Sequence, residues 1–163
     1  MRLVFWAGFW TFLIDQASKY AVVHWADLMT RQQIDVAPPF LVFQMAWNRG
    51  VNFGLGAGAD LRWLLIAVAI AISAAVLIWL WRTGGTKWIY ISAGLLVGGA
   101  LGNVVDRVLY GAVADFINMS CCGFNNPFAF NVADVAIFAG AIGLAFLPQP
   151  PNTKTKTKSR KAG

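Results

Sequence analysis

Long apolar segments separated by short polar ones are the feature that most constrains how this chain folds. Residues 62–81 carry no charge after their first position, and residues 88–105 carry none. A bilayer core is about 30 Å thick, so about 20 predominantly apolar residues in one helix cross it. Residues 3–23 and 132–147 are two further segments of this kind. The sequence therefore predicts an all-α polytopic membrane protein with four transmembrane helices.

The composition favours the same class. Hydrophobic residues make up 58% of the chain, charged residues 12%, and the mean hydropathy is +0.60, which is too apolar for an ordinary soluble domain. The net charge of +6 arises mainly in residues 148–163, which hold five of the 13 basic residues. No aromatic residues interleave with them, as they do on surfaces that bind nucleic acid. We expect a disordered, basic, cytoplasmic tail and no nucleic-acid partner.

The basic residues also predict the orientation. Arg2, the turn at 82–87 and the tail lie on one side of a four-span arrangement, which places both termini in the cytoplasm. The loops 24–61 and 106–132 then face outward. The first of these is rich in aromatic residues and glycine, which predicts a small β-rich extracytoplasmic platform between spans 1 and 2. We expect residues 1–147 to form a single membrane-embedded domain, with residues 40–58 covering the substrate.

Two carboxylates stand out against this apolar background. The chain has seven acidic residues, all of them aspartates, and three lie between residues 98 and 134. Asp115 and Asp134 each adjoin an apolar segment and are separated by one loop. A carboxylate at a membrane boundary is costly to desolvate and marks a functional site by default. We therefore predict that Asp115 and Asp134 share a site near the outer surface of the membrane.

A pair of this kind suits peptide hydrolysis. Two carboxylates within a few Å of each other do not both ionise easily, so one keeps a proton while the other acts as a base. The base deprotonates a water molecule that attacks a peptide carbonyl, and the acid donates to the carbonyl oxygen. This chemistry needs no metal, no cofactor and no covalent intermediate. Because the pair titrates as a unit, the spacing leaves open which aspartate holds the proton.

Other polar residues occur at helical spacing. Asp15 and Lys19 are four residues apart and can pair on one face of the first span. This pair has two interpretations, a structural ion pair that joins helix ends or a pair close to the reaction site. Asn103 and Arg107 have the same spacing, so both can point at one polar site.

Asn48 is the residue of the aromatic loop to which we assign a role in binding. Its amide can donate to a bound peptide carbonyl, and Gly50 permits close approach of the backbone. The glycines of the third span are better explained by close helix packing. His24, Cys121 and Cys122 are too few for a metal site, and we predict none.

Five blocks in this chain resemble the family of bacterial lipoprotein signal peptidases, also called signal peptidase II. They are DQASK (15–19), NRGVNFG (48–54), GGALGNVVDR (98–107), GAVADF (111–116) and FNVAD (130–134), and the resemblance spans roughly residues 5 to 147. It implies an aspartyl protease of the bacterial inner membrane, in which Asp115 and Asp134 match the catalytic pair. Asn52 departs mildly, because a small apolar residue is expected there.

The resemblance also implies a substrate and a set of supporting residues. The substrate is a prolipoprotein that carries a diacylglyceryl group on a cysteine, cut just before that cysteine. Membrane lipid is the other expected partner, and we expect a monomer. The positions that match site-lining or supporting residues of the family are Asp15, Lys19, Asn48, Gly50, Gly99, Asn103, Asp106, Arg107, Asn131 and Ala133.

Three other functions compete with this interpretation. A proton-coupled transporter needs an acid near the membrane midplane, and Asp15 is the feature that favours it. A serine–lysine protease requires Ser18 and Lys19 to cooperate, although neighbours on a helix do not face each other. A structural membrane subunit predicts that Asp115 and Asp134 tolerate asparagine.

Overall fold

Four long helices and a small sheet make up the computed structural model, which describes residues 1–50 and 61–148. The long helices are α1 (Arg2–Lys19), α3 (Arg62–Thr83), α4 (Lys87–Tyr110) and α5 (Val132–Phe146), and α2 (Leu28–Arg31) is short. A π-helical segment, Tyr20–Trp25, continues α1. The predicted helical segments are all present, and α4 runs five residues beyond its predicted end at 105. The tail from residue 149 onward lies outside the described residues.

Among these helices, α3 and α4 are long and apolar enough to cross a membrane, and α5 is a shorter apolar helix. Helix α3 is apolar nearly all round and buries only Ile66, Ser73 and Leu80 within the protein. Large side chains such as Trp6 and Phe138 are half or more exposed on the other helices. Soluble monomers rarely expose apolar surface on this scale, so a lipid environment accounts for it.

Helix α4 lies at the centre of the helical packing, between α1 and α5. Small residues allow the close approach to α1. A Cβ atom on Gly94 would lie 2.7 Å from the carbonyl oxygen of Val4, and one on Gly98 would overlap the backbone of Gly8. The prediction that these glycines serve helix packing is therefore supported by the contacts they make.

The sheet has three antiparallel strands in the order β1 (Gln33–Ala37), β2 (Leu41–Asn48) and β3 (Val113–Asn118). The platform predicted between spans 1 and 2 thus extends to a strand from the loop between α4 and α5. In the β2–β3 register, Ala46 lies opposite Asp115 and Asn48 opposite Val113. The prediction of a loop over residues 106–132 omits β3, because a strand of six residues gives little signal of its own. Residues 51–60, including Asn52 and part of the predicted cover 40–58, lie outside the described residues.

Candidate active site

Asp134 lies in the first turn of α5, where the local sequence fixes its position. Asn131 is the N-cap residue and accepts a hydrogen bond from the backbone N–H of Asp134 at 2.9 Å. In return, the Asp134 carboxylate accepts one from the backbone N–H of Asn131 at 3.2 Å. This reciprocal capping box satisfies two N–H groups of the helix terminus. A carboxylate here is also favoured by the positive end of the helix dipole.

Asp115 lies on β3, and its side chain is held by two amides. Its Oδ1 atom accepts a hydrogen bond from Nδ2 of Asn131 at 2.6 Å, and its Oδ2 atom accepts one from Nδ2 of Asn48 at 3.0 Å. We had expected the Asn48 amide to meet a bound peptide, whereas here it orients Asp115. The Oδ1 atom of Asn48 accepts the N–H of Gly50, whose φ of +108° is strained for other residues.

Asn131 connects the two aspartates. Its side chain donates to Asp115 and its backbone N–H donates to Asp134, and the residue is fully buried. Asn103 strengthens this bridge, because its Nδ2 atom donates to Oδ1 of Asp134 at 2.8 Å while its Oδ1 atom accepts from Nδ2 of Asn131 at 3.2 Å. The structure therefore places Asp115 and Asp134 in one hydrogen-bonded network.

The surroundings of Asp115 disfavour its charge. Burial raises the pKa of Asp115 from its ordinary value of 3.8 to about 6, and the nearby carboxylate of Asp134 acts in the same direction. The hydrogen bonds from Asn48 and Asn131 and the charge of Lys19 lower it, but they do not outweigh these effects. Asp115 is thus a carboxyl group that exchanges a proton close to neutral pH.

Lys19 forms two buried ion pairs beside this network. Its Nζ atom lies 2.8 Å from Oδ2 of Asp15 and 2.8 Å from Oδ2 of Asp106, and it also donates to Oδ1 of Asn103 at 3.3 Å. Asp15 and Asp106 are 0% and 1% exposed. Buried carboxylates persist only where charges and hydrogen bonds compensate them. Asp106 thus joins the buried Asp15–Lys19 pair, and through Asn103 this pair also lies beside the two aspartates.

Gly99 and Ala133 mark a close contact between α4 and α5. A Cβ atom on Gly99 would lie 2.6 Å from the carbonyl oxygen of Ala133, and Ala133 is fully buried. Both residues act through packing: they keep the helices close enough for Asn103 to reach Asp134. Neither contributes a side-chain polar group to the site.

A sequence profile of the family described as Signal peptidase (SPase) II matches residues 8–147. The chain belongs to the signal peptidase II family.

Curated relatives agree with this assignment. The chain is 46% identical over 136 residues to the lipoprotein signal peptidase of Methylobacterium sp. (strain 4-46), covering 82% of this chain and 81% of the relative. It is 42% identical over 150 residues to that of Methylorubrum extorquens (strain PA1), covering 88% and 86%. A solved bacterial membrane enzyme matches with a TM-score of 0.75 and 25% identity, over 89% of this chain and 91% of that one.

The resemblance seen in the five sequence blocks is therefore confirmed. The chain is an aspartic-type peptidase that removes signal peptides from prolipoproteins, and its fold is that of a membrane enzyme. This assignment excludes the transporter and the structural subunit as primary functions. It also excludes the serine–lysine protease, since Ser18 donates to the backbone carbonyl of Asp15 rather than approaching Lys19 as a nucleophile.

Arg107 lies at the edge of the network that holds Asp115 and Asp134. Its Nη1 atom donates to the carbonyl oxygen of Asn103 at 3.2 Å, and its charge acts on Asp134, Asp115 and Asp106. Its Nε atom is buried and has no hydrogen-bond partner within residues 1–50 and 61–148. Arg107 therefore supplies positive charge next to the aspartates, as its helical spacing from Asn103 predicts.

Some features of the site were not singled out from the sequence. Gln16 donates to both Asp15 and Asp106, although its position next to Asp15 places it about 100° around the helix. The backbone N–H of Ala114 donates to Asp106. Over the described part of the chain, no group of three or more metal-ligating side chains is found, and Cys121 and Cys122 are exposed thiols.

Proposed function

We propose that Asp115 and Asp134 are the catalytic carboxylates of this signal peptidase. The observation that carries the proposal is the fully buried Asn131, which hydrogen-bonds both carboxylates at once. It holds two acidic groups from different elements, a strand and a helix terminus, against one residue, through its side-chain amide and its backbone N–H. The raised pKa of Asp115 supports an acid–base role for the pair.

The two carboxylates take different roles in the proposed mechanism. Asp134, which accepts hydrogen bonds on both oxygens from Asn103 and from the backbone of Asn131, is assigned the role of the base. Asp115, whose pKa is raised by burial, carries the proton as the acid.

Each proton has a defined path in this scheme. Asp134 takes a proton from a water molecule, and the oxygen of that water forms a bond to the scissile carbonyl carbon. Asp115 donates its proton to the carbonyl oxygen. Collapse of the tetrahedral intermediate breaks the C–N bond, the proton held by Asp134 passes to the leaving amine, and one hydroxyl proton of the intermediate returns to Asp115 as the carbonyl re-forms.

The substrate class proposed is a prolipoprotein with a diacylglyceryl-modified cysteine, cut just before that cysteine. A lipid anchor restricts the scissile bond to the depth of the membrane surface, so the bilayer supplies concentration and orientation. The site lies at one end of the long helices, where α1 and α4 end and α5 begins, and this position matches an anchored substrate.

The proposed topology has four spans with both termini in the cytoplasm. The site-bearing ends of the helices share one side, and the turn between α3 and α4, which carries Arg82 and Lys87, lies at the opposite end. The positive-inside rule assigns that basic turn to the cytoplasm. The active site then faces the outer surface of the bacterial inner membrane, and we propose that the enzyme acts as a monomer.

The function is tested with purified enzyme in detergent and a synthetic prolipoprotein peptide, with and without the diacylglyceryl group. We expect one cut, mapped by mass spectrometry to the bond before the modified cysteine, and a rate at least a hundredfold lower without the lipid. An enzyme with both Asp115→Asn and Asp134→Asn serves as the blank. Equal cleavage of both peptides, or a cut elsewhere, would contradict the proposed substrate.

A further inference from the structure

The backbone just before each proposed catalytic aspartate is held by a buried carboxylate. Ala114 precedes Asp115, and its N–H donates to Oδ2 of Asp106 at 3.2 Å. Ala133 precedes Asp134, and its N–H donates to Oδ1 of Asp15 at 2.9 Å. These two contacts are equivalent in kind, although they come from different helices. The positions of Asp15 and Asp106 therefore fix the backbone from which the side chains of the two catalytic residues extend.

Two side chains of α1 join these buried carboxylates to each other. Lys19 lies 2.8 Å from both, and a third contact, to Asn103, engages its remaining hydrogen. The Nε2 atom of Gln16 donates to Oδ2 of Asp15 at 3.1 Å and to Oδ1 of Asp106 at 3.1 Å. The separation of Asp15 and Asp106 is thus fixed by an ammonium group and by a carboxamide.

We propose that Gln16 is a positioning residue of the peptidase, which together with Lys19 fixes the separation of Asp15 and Asp106 and, through Ala133 and Ala114, that of the catalytic aspartates. This inference rests on the proposed catalytic role of Asp115 and Asp134. The hydrogen bonds that Gln16 makes within the described residues reach Asp15, Gly102 and Asp106, and none reaches Asp115 or Asp134. Gln16 acts through two backbone N–H groups.

The chemistry of this position explains why an amide fits it. Asp15, Asp106 and Lys19 together carry a net charge of −1, and a glutamine bridges the carboxylates without adding to it. A carboxylate at position 16 would place a third negative charge against two buried ones. An aliphatic side chain would remove both hydrogen bonds and leave the carboxylate oxygens partly unpaired.

Gln16, Lys19 and Asp106 line one cavity beside this cluster. This cavity has a volume of about 250 Å³ and opens between α1, the end of α4 and the sheet, with Tyr20, Trp47 and Tyr110 among its lining residues. Truncation of Gln16 would enlarge the cavity beside Asp106 and extend it toward Asp15. Lys19 would then be the remaining bridge between the two carboxylates, and their separation would be less tightly fixed.

A change in their separation has a measurable effect on Asp115. The charges of Asp134 on α5 and of Lys19 on α1 act on Asp115. Arg107 on α4 interacts electrostatically with both aspartates. Asn48 and Asn131 donate to Asp115 from β2 and from the start of α5. If the aspartates move apart, the repulsion by Asp134 weakens and the titration of Asp115 moves to lower pH. A purely structural role for Gln16 would lower stability without this shift.

The experiment compares wild type, Gln16→Ala, Gln16→Glu and the control Ser18→Ala, whose hydroxyl contacts only backbone in the same turn. Cleavage of the lipidated peptide is measured from pH 4 to 8. The midpoint of thermal unfolding in detergent is measured over the same pH range, and this measurement requires no activity. For Gln16→Ala we expect kcat to fall about ten- to a hundredfold with KM within about twofold of wild type, because small misplacements of reacting groups have this effect. In this variant the pH at which Asp115 is half titrated moves to lower pH, and both the cleavage profile and the unfolding profile report this change.

Gln16→Glu tests whether a protonated carboxyl group restores the function of the Gln16 amide. Near neutral pH its kcat is expected to fall below that of Gln16→Ala, and its activity relative to wild type is expected to recover as pH falls and the new carboxyl group gains a proton that it can donate. Ser18→Ala stays within twofold of wild type. Unchanged kcat and titration in both Gln16 variants would overturn the proposal, as would lower stability with an unshifted midpoint. Failure of the proposed function is distinct from these results, because wild type itself would then not cleave.

Discussion

Two pairs of aspartates lie side by side at one end of this molecule, and they differ in what connects them. Asp15 and Asp106 are joined by the ammonium group of Lys19. Asp115 and Asp134 are joined by the neutral Asn131. A cation compensates the repulsion of two buried carboxylates, whereas an amide satisfies their hydrogen bonds and leaves the repulsion in place.

This difference separates a structural role from a chemical one. In the amide-bridged pair, burial and the remaining repulsion raise the pKa of Asp115 to about 6, so that a proton is held and released near neutral pH. The lysine-bridged pair holds the backbone N–H groups of Ala114 and Ala133. Burial is the larger cause of the raised pKa of Asp115, and the two pairs differ in whether a cation lies between the carboxylates.

The largest effect is expected when the cationic bridge is removed. Lys19→Met leaves Asp15 and Asp106 buried without a compensating charge, and breaking a buried ion pair in this way costs about 3–5 kcal/mol. We expect a sharp loss of folded protein and a much lower thermal midpoint in detergent. Lys87→Met, at the exposed start of α4, is the matched control. A variant at Lys19 as stable as this control would show that the bridge is not structural.

A smaller but more specific effect is expected at the neutral bridge. Asn131→Ala removes the N-cap of α5, at a cost of about 1 kcal/mol, and also the hydrogen bond to Asp115. We expect kcat to fall about a hundredfold or more. Asn131→Ser restores a capping oxygen but not the donor to Asp115, so it should recover stability and not activity. Recovery of both would assign Asn131 to capping alone.

The pH dependence of stability sharpens the comparison further. The folded pKa of Asp115 lies above its ordinary value, so its protonation stabilises the folded state. This contribution is fully present below about pH 4 and is lost as pH rises through about 6. The shift of about two units corresponds to at most about 3 kcal/mol. The thermal midpoint of wild type, relative to Asp115→Asn, should therefore fall between pH 4 and pH 7. A constant difference would contradict the raised pKa.

The smallest effect is expected from Asn48→Ala. Asn48 stabilises the ionised form of Asp115, so its loss should raise the pKa of Asp115 further and move the pH midpoint of kcat/KM upward. Stability should change by only about 1 kcal/mol. Gln44→Ala, on the exposed side of the same strand, should leave the profile unchanged. A downward movement of the midpoint in Asn48→Ala would show that this contact is wrongly interpreted.

Much of this arrangement was predictable from the sequence, for physical reasons that differ between residues. Apolar length predicts the helices, and the predicted span over residues 132–147 places Asp134 near a helix start. The pairing of Asp15 with Lys19 follows from helical spacing. These features are local, so a periodic pattern is sufficient to reveal them.

The contacts between distant segments were not predictable in this way. The pairing of β2 with β3 joins residues almost 70 positions apart, and this pairing brings Asn48 within hydrogen-bonding distance of Asp115. The second ion pair of Lys19, to Asp106, likewise depends on how α1 crosses α4. Periodicity tells which face of a helix is polar, but it does not tell which helix that face meets.

The central claim is that Asp115 and Asp134 perform the chemistry. The most direct measurement is cleavage of the diacylglyceryl peptide by wild type, Asp115→Asn and Asp134→Asn, with the exposed Asp35→Asn as the control. Thermal unfolding of each variant in detergent shows whether it is folded. We predict that both site variants are folded and lose activity by a factor of at least about 10³, while Asp35→Asn retains it. Near-wild-type turnover in a folded Asp115→Asn or Asp134→Asn variant would contradict the claim.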